Sequence, residues 1–167
     1  MTEQDRTPTP ARPHMPKSYG LAADIGAETA AEWPRVIEQL IASRNYWISS
    51  TRPDGRPHAM PVWGVWIEGA LYFGTDRMSR KGRNIAANPA LVVHLESGDD
   101  VVVLEGVAAE ALDAALLAAY ADAYDAKYGF RPDTADPATA TYALRPAAVL
   151  TWLEADFPGT ATRWTFG

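Results

Sequence analysis

The sequence predicts a mainly β (α+β) domain, a six-stranded antiparallel barrel with flanking helices, and three observations predict it. From Tyr46 the pattern turns from helical to extended, and five strand-like runs separated by turn residues follow up to residue 109. A long helical pattern enters late, at residues 112–128, and further extended runs follow it. At 167 residues, nearly half of them hydrophobic, the chain suits one domain with a proper core.

The elements can be taken in order. Residues 1–28 carry Pro8, Pro10, Pro13 and Pro16 without periodicity and read as an extended or disordered arm, leaving 29–167 as the folded domain. Pro34 suits a helix's first turn, and Val36, Ile37, Leu40 and Ile41 make one apolar stripe up to Ser43. Tyr46 to Arg52 is a strand, Pro53-Asp54-Gly55 a turn, and Arg56 to Ile67 a second, long strand. Pro57 and Pro61 interrupt that second strand, which therefore belongs at an edge or carries a bulge. Strands at Ala70 to Thr75, Leu91 to Glu96 and Val101 to Ala109 complete a five-stranded meander, with a helix after the third capped by Ser79 and stopped at Asn88-Pro89. In the helix from Leu112 to Tyr128, Leu112, Leu116, Tyr120 and Tyr124 share one face and read as packing residues, as does Tyr128. A loop at 131–139, a strand from Tyr142 to Leu153 broken near Pro146, and a short strand at Thr162 to Phe166 end the chain.

Composition excludes several functions. A net charge of −6 argues against nucleic acid as the main partner. There is no cysteine, hence no disulfide or thiolate chemistry, and His14, His58 and His94 are too scattered to suggest a metal site. No apolar run approaches the roughly 20 residues of a membrane span, and no signal peptide opens the chain, so a cytoplasmic location is expected.

Against that acidic background Arg77, Arg80, Lys81 and Arg83 fall within seven residues at a helix start. Such clusters are commonly just a solvated face. Here, however, cations oppose the helix dipole at up to roughly 1 kcal/mol each unless an anion compensates them, and the exposed N–H groups there suit a phosphate. Twelve of the fifteen basic residues are arginine, which makes Lys81, one of three lysines, a noticeable choice.

The run Tyr72-Phe-Gly-Thr-Asp-Arg-Met-Ser-Arg-Lys-Gly82, followed by Asn84 and Asn88-Pro89, resembles the flavin phosphate loop of pyridoxamine 5′-phosphate oxidase-like proteins, the flavin-binding split barrels. By that resemblance Thr75, Arg80 and Lys81 hold a cofactor phosphate, helped by the N–H groups after Ser79. The main chain of Met60, Pro61, Val62 and Trp63 faces the ring system, and Asn84 either reaches the cofactor or caps a turn. The oxidases carry an Arg and a Lys on the second strand, where this chain has Met60 to Val65. The tail from Ala161 to Gly167 also lacks a clear counterpart of their substrate-binding end.

Residues 51–63 together with Ser79-Arg80-Lys81-Gly82-Arg83-Asn84 are instead similar to the branch, common in actinobacteria, that uses the deazaflavin coenzyme F420. The resemblance implies a homodimer with cofactor between the subunits and hydride transfer to an unsaturated acceptor without any catalytic side chain. Arg52 or Arg56 would meet the coenzyme's charged tail. FMN is the alternative cofactor, and storage of a cofactor or haem without turnover the alternative function. Among the remaining residues, two of Trp47, Trp63 and Trp66 are expected in the core, His58 beside the groove, and Arg163 and Trp164 at a partner's pocket.

Overall fold

The structure, a computed structural model, describes residues 7–26, 29 and 32–166. Its helices are α1 (Trp33–Ala42), α2 (Arg80–Ala87), α3 (Ala114–Tyr128) and α4 (Phe157–Thr160). Its strands are β1 (Thr9–Ala11), β2 (Tyr46–Thr51), β3 (Pro57–Val62), β4 (Val65–Ile67), β5 (Ala70–Asp76), β6 (Ala90–His94), β7 (Asp100–Glu110), β8 (Thr139–Leu153) and β9 (Thr162–Thr165). Nine strands among the described residues exceed the six of the expected barrel, because β1, the short last strand β9 and a divided second strand add to the count.

All pairings are antiparallel, in the order β1-β9-β8-β7-β6-β2-β3, with β5 joining β8 to β4. The result is an open split barrel with helices outside it. The expected meander does not form: β5 pairs with β8, and α2 carries the chain across to β6, which pairs with β2 and β7. One residue explains the divided strand. A Cβ at Gly64 would lie 2.8 Å from Tyr72 O and 3.1 Å from Leu71 Cδ1, so the chain bends there against β5 and continues as β4 in the other half of the barrel. Pro57 and Pro61 fit because β3 is an edge strand, paired with β2 alone. Pro146 sits at a bulge in β8 rather than at a break: Glu105 faces Ala148 while Gly106 faces Pro146, leaving Ala147 as the extra residue.

The core is built from Leu40 of α1 and Tyr46, Ile48, Leu71, Phe73, Val93, Leu104, Leu144, Val149 and Trp164 of the strands. Trp164 is buried, meets Trp33 at 5.2 Å between ring centroids and donates to Thr151 Oγ1 at 2.9 Å, while Arg163 pairs with Glu105. Trp164 is therefore a core residue of its own chain and not free to close a partner's pocket. The stripe of α1 is narrower than expected, with Val36 and Leu40 buried and Ile41 facing solvent. Asp113 caps α3 by accepting the Leu116 N–H, which leaves Leu112 outside the helix and exposed. Of the three tryptophans, Trp66 packs on the core, Trp47 stacks on His94 and Trp63 is exposed.

Candidate functional site

The site begins with the turn between β5 and α2. Asp76 Oδ1 accepts the Met78 N–H at 2.6 Å, and Ser79 Oγ caps α2 by accepting the Gly82 N–H at 2.9 Å. Thr75 Oγ1, at the end of β5, lies 3.1 Å from that same Ser79 oxygen. The N–H groups of Arg80 and Lys81, first in the helix, have no intrahelical acceptor. A Cβ on Gly82 would come within 2.4 Å of Asp76 O and 2.7 Å of Arg77 O, so the absence of a side chain lets the loop lie flat on the helix. Thr75, Ser79, Arg80 and Lys81 are thereby gathered at one helix start.

Electrostatics set this place apart. Lys81 is half-buried, and burial lowers its pKa; Arg80 and Arg83 are exposed. Among the described residues none of Arg52, Arg80, Lys81 or Arg83 has a carboxylate within ion-pair distance. His58, near the start of β3, has its pKa lowered first by burial and then by Arg52, Lys81 and Arg80, so these three cations share one region. Two buried nitrogens there, Arg52 Nε and His58 Nδ1, lack a hydrogen-bond partner. Neutralisation separates the other arginines from the group: Arg77 forms a bidentate pair with Glu110 and also donates to Pro137 O, and Arg56 is paired with Asp54. Of Arg52 and Arg56, then, the one without an ion pair is Arg52, although the Asp54 carboxyl, held low first by Arg56, also feels Arg52 and Arg80.

Further along β3, Pro61 is exposed and Val62 buried, and Met60 and Trp63 show 48% and 38% of their surface. Asn84 is elsewhere. It is fully enclosed, donates from Nδ2 to Ser50 Oγ at 3.0 Å, and keeps a buried Oδ1 without a partner. A network absent from the sequence reading lies past Trp63, where Lys127 and Tyr128 of α3 reach the Gly64 peptide. Lysine is so rare here that Lys127 carried the same compositional signal as Lys81.

Comparison with known proteins places the fold. No curated protein sequence matches the chain. Among solved structures, a conserved hypothetical protein of Mycobacterium tuberculosis superposes with a TM-score of 0.65 at 23% identity, over 80% of this chain and 89% of that one. An F420 reductase superposes with a TM-score of 0.55 at 24% identity, over 67% and 94% of the two chains. A haem-binding protein of Mycobacterium smegmatis gives 0.59 at 22% identity, over 77% of this chain and 55% of the other. Residues 34–153, from the first turn of α1 to the end of β8, match the pyridoxamine 5′-phosphate oxidase family. With that match spanning most of the chain and the split barrel built as described, the protein belongs to the pyridoxamine 5′-phosphate oxidase family.

Proposed function

We propose that the protein is an oxidoreductase that binds coenzyme F420 and passes hydride from its reduced form to an unsaturated small molecule. The observation that carries the reading is the group of cations without an ion pair, Arg80 and Lys81 at the capped start of α2 and Arg52 beside them, with only Asp54, itself paired with Arg56, as a nearby carboxylate. Their mutual repulsion is relieved by an anion, and the free N–H groups of the first helical turn add donors for it. The residues fit a phosphate-bearing cofactor: a half-buried lysine without a carboxylate, two hydroxyls at Thr75 and Ser79, and unpartnered nitrogens on Arg52 and His58.

Lys81 and Arg80 would hold the phosphate, with Thr75 and Ser79 supplying hydroxyls. The exposed edge of β3 at Met60 to Trp63 would support the ring system through its main chain. The bound deazaflavin supplies the hydride chemistry. None of Met60, Pro61, Val62 and Trp63 carries an acid or base, so the proton that completes reduction comes from water, and the chain's own contribution is placement. The lack of a cation on β3 favours the deazaflavin over FMN, the runner-up, whose oxidases use an Arg and a Lys there. Arg52 adds a charge suited to a longer anionic tail.

A second copy of the chain would complete the groove. Met60, Trp63, Val92 and Val107 leave apolar surface exposed on strands β3, β6 and β7 and beside the Gly64 bend, a surface suited to a homodimer. The test is a tryptophan-fluorescence titration with coenzyme F420 and FMN in parallel, followed by oxidation of the reduced coenzyme with varied conjugated acceptors. Tight binding of F420 with turnover is expected. Preference for FMN moves the protein to the runner-up, binding without turnover to storage, and binding of neither removes the site.

A further inference from the structure

The bend between β3 and β4 is held from outside the barrel by the last turn of α3. The Gly64 N–H donates to the Tyr128 hydroxyl at 3.0 Å, and that hydroxyl lies 2.8 Å from Gly64 O and 2.7 Å from Arg44 O. Lys127 Nζ donates to Gly64 O at 3.1 Å and to the Tyr46 hydroxyl at 2.9 Å, and Tyr46 in turn donates to Leu40 O. One peptide is thus gripped by two consecutive helix residues. The neighbouring indole is gripped too, because Trp63 stacks on Tyr128 with ring centroids 4.6 Å apart and planes 3° apart, and the Arg44 guanidinium lies 5.1 Å from the Trp63 ring.

This grip is unlike ordinary packing. Lys127 lies 4.9 Å from the Tyr46 ring and 5.4 Å from the Tyr128 ring, and no described carboxylate is within ion-pair distance of it. The titratable and charged groups facing it are Tyr46 from β2, Tyr128 from its own helix, and Arg44 before β2, which shares the Tyr128 ring; the bend itself contributes none. A half-buried ammonium with only hydroxyl, carbonyl and ring-face partners carries a desolvation cost that its ring contacts offset in part, and besides the core Tyr46 it has one further hydrogen-bond partner. That partner is the peptide that ends β3.

We propose that Lys127 and Tyr128 are positioning residues: by holding the Gly64 peptide and the face of the Trp63 indole, they fix the end of β3 in the orientation that a cofactor ring needs. The proposal rests on the reading of β3 as the ring-bearing edge, but the grip itself is a property of the unliganded chain. Its control is the Lys127 proton. Burial pushes the Lys127 pKa down to about 8, so raising the pH through 8 removes the charge that binds Gly64 O and the two ring faces. Trp63 keeps Tyr128 and Arg44, but the Tyr128 ring and the Gly64 peptide beside it lose the ammonium that holds them.

The test uses the full chain labelled with 5-fluorotryptophan, with the Trp63 resonance assigned through Trp63→Phe. In the unliganded protein that resonance is expected to move with pH around a midpoint near 8, to be flat in Lys127→Met, and to stay at its low-pH position in Lys127→Arg. The other tryptophan signals report that each variant is folded. A Trp63 titration that persists unchanged in Lys127→Met, or none in the wild type, overturns the proposal. Cofactor affinity is then measured by titration with F420 and FMN: Lys127→Met and Tyr128→Phe are expected to weaken the bound one 3- to 10-fold and Lys127→Arg less than 2-fold. Unchanged affinity in both weakened variants also overturns it. If the wild type binds neither coenzyme, the proposed function fails while the fluorine titration still decides whether the grip exists.

Discussion

Asn84 and Ser50 are joined inside the barrel, the amide of the first donating to the hydroxyl of the second at 3.0 Å, which ties the middle of α2 to β2. The Ser50 hydroxyl also lies 3.4 Å from the His58 carbonyl, so one short chain of polar groups links α2, β2 and β3. Breaking it from the helix side leaves Ser50 underused and opens a void. Asn84→Ala is expected to lower stability by about 1–3 kcal/mol, read as a lower midpoint in urea. A change under about 0.3 kcal/mol would mean that the link contributes nothing.

Lys81 and Arg77 make a controlled pair, since both were legible as cations of one cluster and only one remains uncompensated. Lys81→Ala is expected to weaken coenzyme binding by about 1.5–3 kcal/mol, the loss of a charge-assisted hydrogen bond. Arg77→Ala, whose guanidinium is committed to Glu110 and Pro137 O, should leave affinity within about threefold. Isothermal titration of both variants checks this; equal losses would place the anion elsewhere.

Gly82 admits no side chain, because its Cβ would meet the carbonyls of Asp76 and Arg77, both backbone atoms of the loop it faces. Gly82→Ala is expected to destabilise by more than about 2 kcal/mol, or to lose coenzyme binding through displacement of the 76–79 turn. Thermal melts with and without coenzyme separate the two. A variant normal in both would show that the loop is free to shift.

His58 gives the pH dependence. Its pKa is lowered by burial and by Arg52, Lys81 and Arg80, so the unfolded chain binds its proton more readily than the folded one. The stability it contributes is present above the ordinary histidine pKa of about 6.5 and is lost as pH falls below that value. An anion bound among the cations offsets their repulsion and must raise the His58 pKa. NMR titration of the His58 ring with and without inorganic phosphate is expected to show an upward shift, and an unmoved value would exclude an anion beside it.

Much of this was legible. Pro57 and Pro61 called for an edge or a bulge, and the edge is what forms; Ser79 with the basic residues 77, 80, 81 and 83 around it marked the helix start. What stayed hidden depends on tertiary partners. Arg77 differs from Lys81 only through Glu110, 33 residues away, and Gly64 breaks the second strand because of a Tyr72 carbonyl that reaches it once β4 and β5 pair. The burial of Trp164 follows from β9 lying beside β8, which no local pattern announces. Asn84 reads as an exposed helix polar residue until β2 is placed beneath it.

Strand β8 meets β7 along one side and, on the other, β5 with residues 139–144 and β9 with residues 148–151. Until those residues are made, β5 lacks one of its two partners and β7 has only β6. The helix start that gathers the cations hangs from β5. Assembly of the site therefore waits on strand pairs whose partners lie 63 to 73 residues apart in sequence, and such sequence-distant pairing is expected to make folding slow and to leave edges unpaired on the nascent chain.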